Sequence, residues 1–382
     1  MLLSSLLVAP DSFKGVLSSD EVCAVIKDRA LAIFPEINVR CVPIADGGEG
    51  SVDCFLSAVG GFKKMLRVTG PHGRPIDAFY GLLPDGTAVI EMAAAAGLPL
   101  MGDAPCAADA TTYGVGELMA DALAGGCKKI LLCLGGSATN DGGCGMAAAL
   151  GVRFFRGGQT FVPTGRTLCD IEKIDPSGVL SRFSDVEVTV LCDVKNPLCG
   201  PMGAAFVFAP QKGATPDDVV LLDRGLAHLA QRIQTDMGRE IADIPGAGAA
   251  GGMGGGAVAF LGARLVPGIE AVLEAVHFDD LLTGTDLVIT GEGRIDGQTA
   301  GGKVVSGVLA HARAASVPTI ALADIVGPGA EQLYDLGLCG IFVANRRAVS
   351  FEEIQKTARR DLASAAENLF RYTAAITATQ TD

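Results

Sequence analysis

The stretch from Ile130 to Leu150 sets the terms for the whole chain. Ile130-Leu131-Leu132-Cys133-Leu134 is apolar enough for a strand buried on both faces. It breaks into Gly135-Gly136-Ser137-Ala138-Thr139-Asn140-Asp141-Gly142-Gly143, and small apolar residues from Met146 to Leu150 then read as a helix. Strand, glycine loop and helix start together are the βα unit of an α/β protein. Glycines let a backbone approach a ligand closely and turn its N–H groups towards an anion. Ser137, Thr139, Asn140 and Asp141 add hydroxyl, amide and carboxylate groups. Such a loop can hold a phosphate and a metal ion together. A Gly-rich turn with a Ser/Asp helix cap accounts for these residues equally well.

The same texture frames both ends of the chain. Leu2 to Ala9 reads as a buried strand, and Ser18 with Glu21 forms a capping box for a helix to about Phe34. Ile37 to Pro43 reads as a strand, and Ala45 to Gly50 as a loop before a helix from Ser51 to about Val59. From Asp286 the pattern returns, with a strand at Leu287 to Thr290, a loop Gly291 to Asp296, and a helix Lys303 to Ala315. Strands at Pro318 to Ala323 and Gly340 to Ala344 and a helix from about Phe351 to Ala375 follow. Between these ends the texture differs. Phe62 to Val68, Ile76 to Leu83 and Thr87 to Met92 read as strands joined by hairpin turns. Further strands are expected at Val186 to Cys192 and near Ala205 to Phe208, with a helix from Pro216 to Met237. The expected fold is α/β with two domains: a parallel-sheet, Rossmann-like α/β/α domain from residues 1–65 and 284–382, and a mixed α/β domain, 66–283, inserted into it.

A chain of 382 residues fits two domains. Its net charge of −13 argues against nucleic acid or an anionic membrane as partner, and aromatics at 5% with no Trp leave no base-stacking platform. An acidic protein that takes a phosphorylated ligand must gather its few cations locally or use Mg²⁺. Eleven cysteines without a C-x-x-C pair suit reduced thiols in a cytoplasmic protein. The apolar N-terminus lacks a cationic leader and is cut short by Pro10-Asp11, so it reads as a strand and not as a signal peptide. Whether the chain forms a homo-oligomer stays open.

Two familiar patterns fail on context. Gly246-x-Gly248-x-x-Gly251 matches a dinucleotide fingerprint, but it follows Asp243-Ile244-Pro245 and not a strand. Gly297 to Lys303 matches G-x-x-x-x-G-K, but Val304 stands where Ser or Thr would meet Mg²⁺. Five loops remain, four of them directly after expected strands: Asp11 to Gly15, Asp46 to Gly50, Gly135 to Gly143, Asp193 to Pro197, and Gly291 to Asp296. Ligands of open α/β sheets bind at strand carboxyl ends. Acidic groups, glycines and the cations Lys14, Lys195 and Arg294 suit Mg²⁺-assisted phosphoryl transfer.

Taken in order, the motifs resemble the bacterial glycerate kinase family of the glycerate 2-kinase type. They are Ala9-Pro10-Asp11-Ser12-Phe13-Lys14-Gly15, Ala45-Asp46-Gly47-Gly48-Glu49-Gly50, Thr112 to Glu117, and Gly135 to Gly143. Cys192-Asp193-Val194-x-Asn196-Pro197-Leu198, Pro210-Gln211-Lys212-Gly213-Ala214, Pro245 to Gly252, and Ile289-Thr290-Gly291-Glu292-Gly293 complete the set. The resemblance implies phosphorylation of D-glycerate by ATP with Mg²⁺, on the 2-hydroxyl to give 2-phosphoglycerate, in a cleft between two α/β domains. Phosphorylation of the 3-hydroxyl is the nearest alternative. A NAD-dependent oxidoreductase using the Gly246 run and a non-catalytic sugar-acid or nucleotide sensor are the readings from other classes. The chain departs from the family at Gly301, where His is common, at Asn345-Arg346-Arg347, and at Ala323-Asp324-Ile325, where a smaller Gly-Ser-type turn is common.

On that resemblance, Lys14, Asp46, Asp193 and Asp296 are the candidate catalytic residues, with the general base among the three aspartates. Gly135, Gly136, Ser137, Thr139, Asn140 and Lys303 are candidates for ATP, and Ser12, Glu49 and Arg294 for glycerate. Asp141 and Glu292 are candidates for Mg²⁺, Asp141 with helix capping as its alternative.

Overall fold

The computed structural model describes residues 3–13, 15–44, 50–103, 105–180, 183–301, 303–347 and 349–379. Strands run in chain order as Ser5–Pro10 (β1), Asn38–Cys41 (β2), Phe62–Thr69 (β3), Pro75–Leu82 (β4), Ala88–Glu91 (β5), Lys129–Cys133 (β6) and Arg153–Arg156 (β7). They continue as Gln159–Phe161 (β8), Lys173–Asp175 (β9), Glu187–Leu191 (β10), Arg264–Val266 (β11), Leu287–Ile295 (β12), Thr319–Val326 (β13) and Gly340–Val343 (β14).

The chain divides into two compact units, residues 1–46 with 269–382, and residues 47–268. The first holds a five-stranded sheet in the order β14-β13-β12-β1-β2, all of whose pairings are parallel. Alternate side chains face opposite layers, as the pleat requires. Leu6, Val8, Ile289 and Leu322 pack with Val22 and Ile26 of the helix Ser19–Ile33 and with Leu362 and Phe370 of the helix Phe351–Thr379. Ala321, Ala323 and Ile295 pack on the other face with Val305 and Leu309 of the helix Val304–Ala314. The Ser18–Glu21 capping box starts the first of these helices.

The second unit has a mixed sheet in the order β11-β10-β6-β5-β4-β3. Pairing is parallel from β11 to β5 and antiparallel through β4 and β3. A three-stranded antiparallel sheet, β8-β7-β9, belongs to the same unit. The helix Ser51–Val59 packs on β4 and β5, so it lies in this second unit, whereas the sequence placed residues up to 65 in the first. Among the described residues no helix is long and apolar enough to cross a membrane.

Three local expectations need correction. Ala204–Phe208 is a helix, not a strand. Ala204 and Ala205 are buried, Phe206 and Val207 are exposed, and the segment packs on the helix Pro216–Met237, so the apolar run has a helical burial pattern. Gly291 to Ile295 is not a loop but the continuation of β12, because Gly291, Glu292, Arg294 and Ile295 pair in register with Leu322, Ala323, Ile325 and Val326 of β13. A Cβ on Gly291 would lie 2.2 Å from the Leu322 carbonyl oxygen, so this glycine serves close strand approach. By the same pairing β13 runs past its expected end at Ala323 to Val326, so Asp324 and Ile325 are strand residues.

Candidate active site

Three parallel strands of the second unit end level with one another, Glu91 of β5 and Leu191 of β10 both standing opposite Cys133 of β6. Beyond this edge lie the loop Gly135 to Gly143 and Asp193, so the structure brings these candidates to one sheet edge, as the strand-end rule requires. The loop is fastened on one side by Ala138 N donating to Ala96 O and Leu98 N donating to Gly136 O, at 2.9 Å each. Gly136 has φ +73° and Gly143 φ +73°, turns that cost glycine little.

The other side of the loop rests on the Gly246 run. The helix Ala249–Leu261 contains a left-handed stretch at Ala250, Gly251 and Gly252. Gly251 O accepts from Gly142 N at 3.0 Å. A Cβ on Gly251 would lie 2.0 Å from Thr139 O, one on Gly256 2.3 Å from Gly142 O, and one on Gly248 2.2 Å from Pro197 O. These glycines are therefore needed for backbone-to-backbone contact with two of the candidate loops. That packing accounts for the pattern that imitates a dinucleotide fingerprint.

Asp141 is fully buried. Its Oδ2 accepts from Thr112 N at 2.8 Å, Thr112 Oγ1 at 2.8 Å and Gly145 N at 3.2 Å, and its Oδ1 from Gly143 N at 3.0 Å. Burial pushes this carboxyl above its ordinary value, while the Thr112, Gly143 and Gly145 donors pull it down. Four donors occupy the oxygens a metal would need. The contacts to Gly143 N and Gly145 N fit its alternative role, capping the start of the helix Cys144–Ala149.

Thr139 and Asn140 are also fully exposed to neither solvent nor partner: both are buried, and Thr139 Oγ1 and both amide atoms of Asn140 lack a hydrogen-bond partner among the described residues. Unmet polar groups of this kind are costly and mark places where a partner is missing. Beneath the loop lies a residue of the Pro210 to Ala214 motif. Lys212, 3% exposed, donates from Nζ to Ser137 Oγ at 2.6 Å and to Thr139 O at 2.9 Å. Burial pulls its ammonium down to about 7, and Asp141 acts in the opposite direction. Glu91 was missed too. Buried, it accepts from Val52 N at 2.6 Å, and so holds the first turn of the helix that follows the Ala45 to Gly50 motif. Lys212 stood in the Pro210 to Ala214 motif without a role, and the only signal for Glu91 was an ionisable residue inside an apolar context. Asp193 is exposed, and its Oδ1 accepts from Gly268 N at 2.8 Å.

The first unit carries the remaining candidates at the carboxyl ends of β1 and β12. Asp11 N donates to Gly291 O at 2.8 Å, and Ser12 N donates to Asp11 Oδ1 at 2.6 Å. Glu292 is buried and accepts from Thr299 Oγ1 at 2.5 Å. Arg294 is exposed and pairs with Asp296 at 3.0 Å. Gln298 N and Arg294 hold the Asp296 carboxyl below its ordinary value. Lys303 stands at the N-cap of the helix Val304–Ala314, its carbonyl accepting from Ser306 Oγ at 2.9 Å. Lys14, Asp46 and Glu49 lie outside the described residues.

Among the described residues no three acidic, Cys or His side chains converge as a metal site. Mg²⁺ that arrives on nucleotide phosphates needs only one or two carboxylates. Of the two carboxylates expected to meet Mg²⁺, Asp141 carries four donors, and Glu292 accepts from Thr299 Oγ1.

Asp324 lies near the carboxyl end of β13 with Oδ1 buried and unpartnered among the described residues. Burial and the nearby Asp361 push its carboxyl up to about 6. The folded form holds this proton to higher pH than the unfolded chain does. Stability therefore falls as pH rises from the ordinary aspartate range, through about 6. Asp324→Asn should melt at a higher temperature than the parent at neutral pH, with the gain vanishing in acid. Equal melting temperatures across that range would contradict the assignment.

Comparison with known proteins follows the same lines. A profile of the Glycerate kinase family matches residues 6–374. A glycerate kinase of Halalkalibacterium halodurans is 44% identical over 370 residues, 96% of this chain and 97% of that one. A glycerate 2-kinase of Escherichia coli K12 is 40% identical over 367 residues, 95% of this chain and 96% of that one. A crystal structure assigned provisionally to glycerate kinase 2 of Salmonella typhimurium LT2 superposes with a TM-score of 0.89 at 40% identity, covering 100% of both chains.

Proposed function

The chain belongs to the glycerate kinase family, and on that premise we propose that it transfers a phosphoryl group from ATP to the 2-hydroxyl of D-glycerate. One observation carries the site assignment: the Gly135 to Gly143 loop, at the carboxyl end of β6, has unpartnered buried groups on Thr139 and Asn140 and a lysine beneath it. Phosphoryl transfer asks the protein for positioning and for cationic or N–H groups around the phosphates, rather than for covalent chemistry. The loop supplies these groups through Gly135, Gly136, Ser137, Thr139 and Asn140, with Lys303 as a further phosphate contact. Ser12 and Arg294 are assigned to the small acid, together with Glu49. Lys14 orients the attacking hydroxyl, and one of Asp46, Asp193 and Asp296 accepts its proton. Glu292 would hold Mg²⁺ on the nucleotide, where the ion would neutralise charge on the phosphate oxygens.

Coupled detection of ADP with D-glycerate as acceptor tests this reading. ADP release that needs D-glycerate, ATP and Mg²⁺ together is expected; absence of turnover in the complete mixture would overturn it. The oxidoreductase reading has no support left in the Gly246 run, whose glycines are used in packing.

A further inference from the structure

Lys212 is a buried cation with no carboxylate among its hydrogen-bond partners in the described residues. It ends the short turn Pro210–Lys212, and its backbone is fixed on both sides. Its N–H donates to Ala209 O at 2.9 Å, and its carbonyl accepts from Ala107 N at 3.1 Å. The next residue, Gly213, has φ +82°, and a Cβ there would lie 2.1 Å from Pro105 O. Asp141 is the charged group that acts on the ammonium, yet its oxygens accept from Thr112, Gly143 and Gly145. Asp109 on the neighbouring segment and Asp218 on the helix Pro216–Met237 both pair with Arg166.

A neutral side chain could brace Ser137 and Thr139 without the cost of burying an ammonium that no carboxylate hydrogen-bonds among the described residues. The charge calls for a second explanation. We propose that Lys212 is a positioning residue that delivers its charge to a bound phosphate through Ser137, without touching the phosphate itself. Ser137 Oγ accepts from Nζ, which leaves the Ser137 O–H to donate outward to a phosphate oxygen. An oxygen that accepts from a cation makes its own O–H a stronger donor. The unpartnered Thr139 Oγ1 and Asn140 amide, on the same loop that Lys212 braces, are the independent sign that this loop awaits a ligand.

The arrangement links phosphate binding to a proton. Without ligand, burial keeps the ammonium at about 7. A phosphate dianion nearby would stabilise the charged form and raise that value. The contribution to affinity is then full below about 7, is lost as pH rises through the liganded value, and in between binding takes up a proton.

The inference rests on reading Gly135 to Gly143 as a phosphate loop, and its test leaves glycerate out. ADP is titrated calorimetrically into the full-length protein at about pH 8, where ADP itself is fully ionised, in two buffers of different ionisation enthalpy. The parent should take up a fraction of a proton per ADP bound. Lys212→Met should bind ADP at least about tenfold more weakly and lose that uptake. Lys212→Arg, charged at every pH, should keep binding but lose the uptake. Because Lys212→Met could fail to fold, the parent and Lys212→Arg form a sufficient pair. No proton uptake by the parent, or uptake unchanged in either variant, would overturn the inference. Lys212-dependent uptake in a protein that does not phosphorylate glycerate would keep it and overturn the proposed reaction instead.

Discussion

Gly251→Ala is expected to destabilise the second unit by about 3 kcal/mol or more and to abolish nucleotide binding with it. The added methyl would sit 2.0 Å from Thr139 O and 2.6 Å from the Asn140 Cα, both backbone atoms that cannot swing aside. The residue also has φ +67°, but that is the smaller part, since Ala250 beside it takes φ 54° with a side chain. A control separates the two effects. Gly238 has φ +68° with nothing within 4 Å of its would-be Cβ, so Gly238→Ala should show only the left-handed penalty of about 1 kcal/mol. Thermal melting of both variants measures the difference. If Gly251→Ala melts no lower than Gly238→Ala, the loop does not rest on that glycine.

The second large effect belongs to Asp141. Asp141→Ala strands four donors, Thr112 N and Oγ1, Gly143 N and Gly145 N, in a fully buried place. At 1–3 kcal/mol per buried unmet group, partly relieved by rearrangement, a loss on the order of 4 kcal/mol is expected. Asp141→Asn keeps the shape but turns an NH₂ towards donors, so it should rescue only part of the loss. Melting in denaturant decides between a cap and a metal ligand. A cap loses stability and activity together, whereas a ligand would lose activity and Mg²⁺ dependence at unchanged stability.

Local signals were legible wherever one segment carried its own instructions. The helices Ser51–Val59 and Pro216–Met237 match the expected spans, the second through the Thr215 cap and Pro216 at its first turn. The Ser18–Glu21 capping box and the hairpin strands β3 to β5 were readable for the same reason. The failures were long-range. Lys212 reaches Ser137 across 75 residues of sequence, and Glu91 reaches Val52 across 39, so neither role exists until the sheet edge is assembled. Gly291 looked like a turn residue, and only pairing with β13 shows it to be strand. Asp141 carried both metal and cap signals, and the donors that decide between them include Thr112, 29 residues away. The Gly246 run, set aside on context, owes its pattern to packing. Its spacing imitates a ligand loop because backbone against backbone demands the same residue as backbone against phosphate.

The central claim is tested most directly by phosphorus NMR of the product formed from ATP and D-glycerate with the purified protein and Mg²⁺. The account predicts a single new phosphomonoester whose proton coupling is that of a phosphate on the secondary C2 carbon, appearing in step with ADP. No new ester, or one coupled to the C3 methylene, would contradict it.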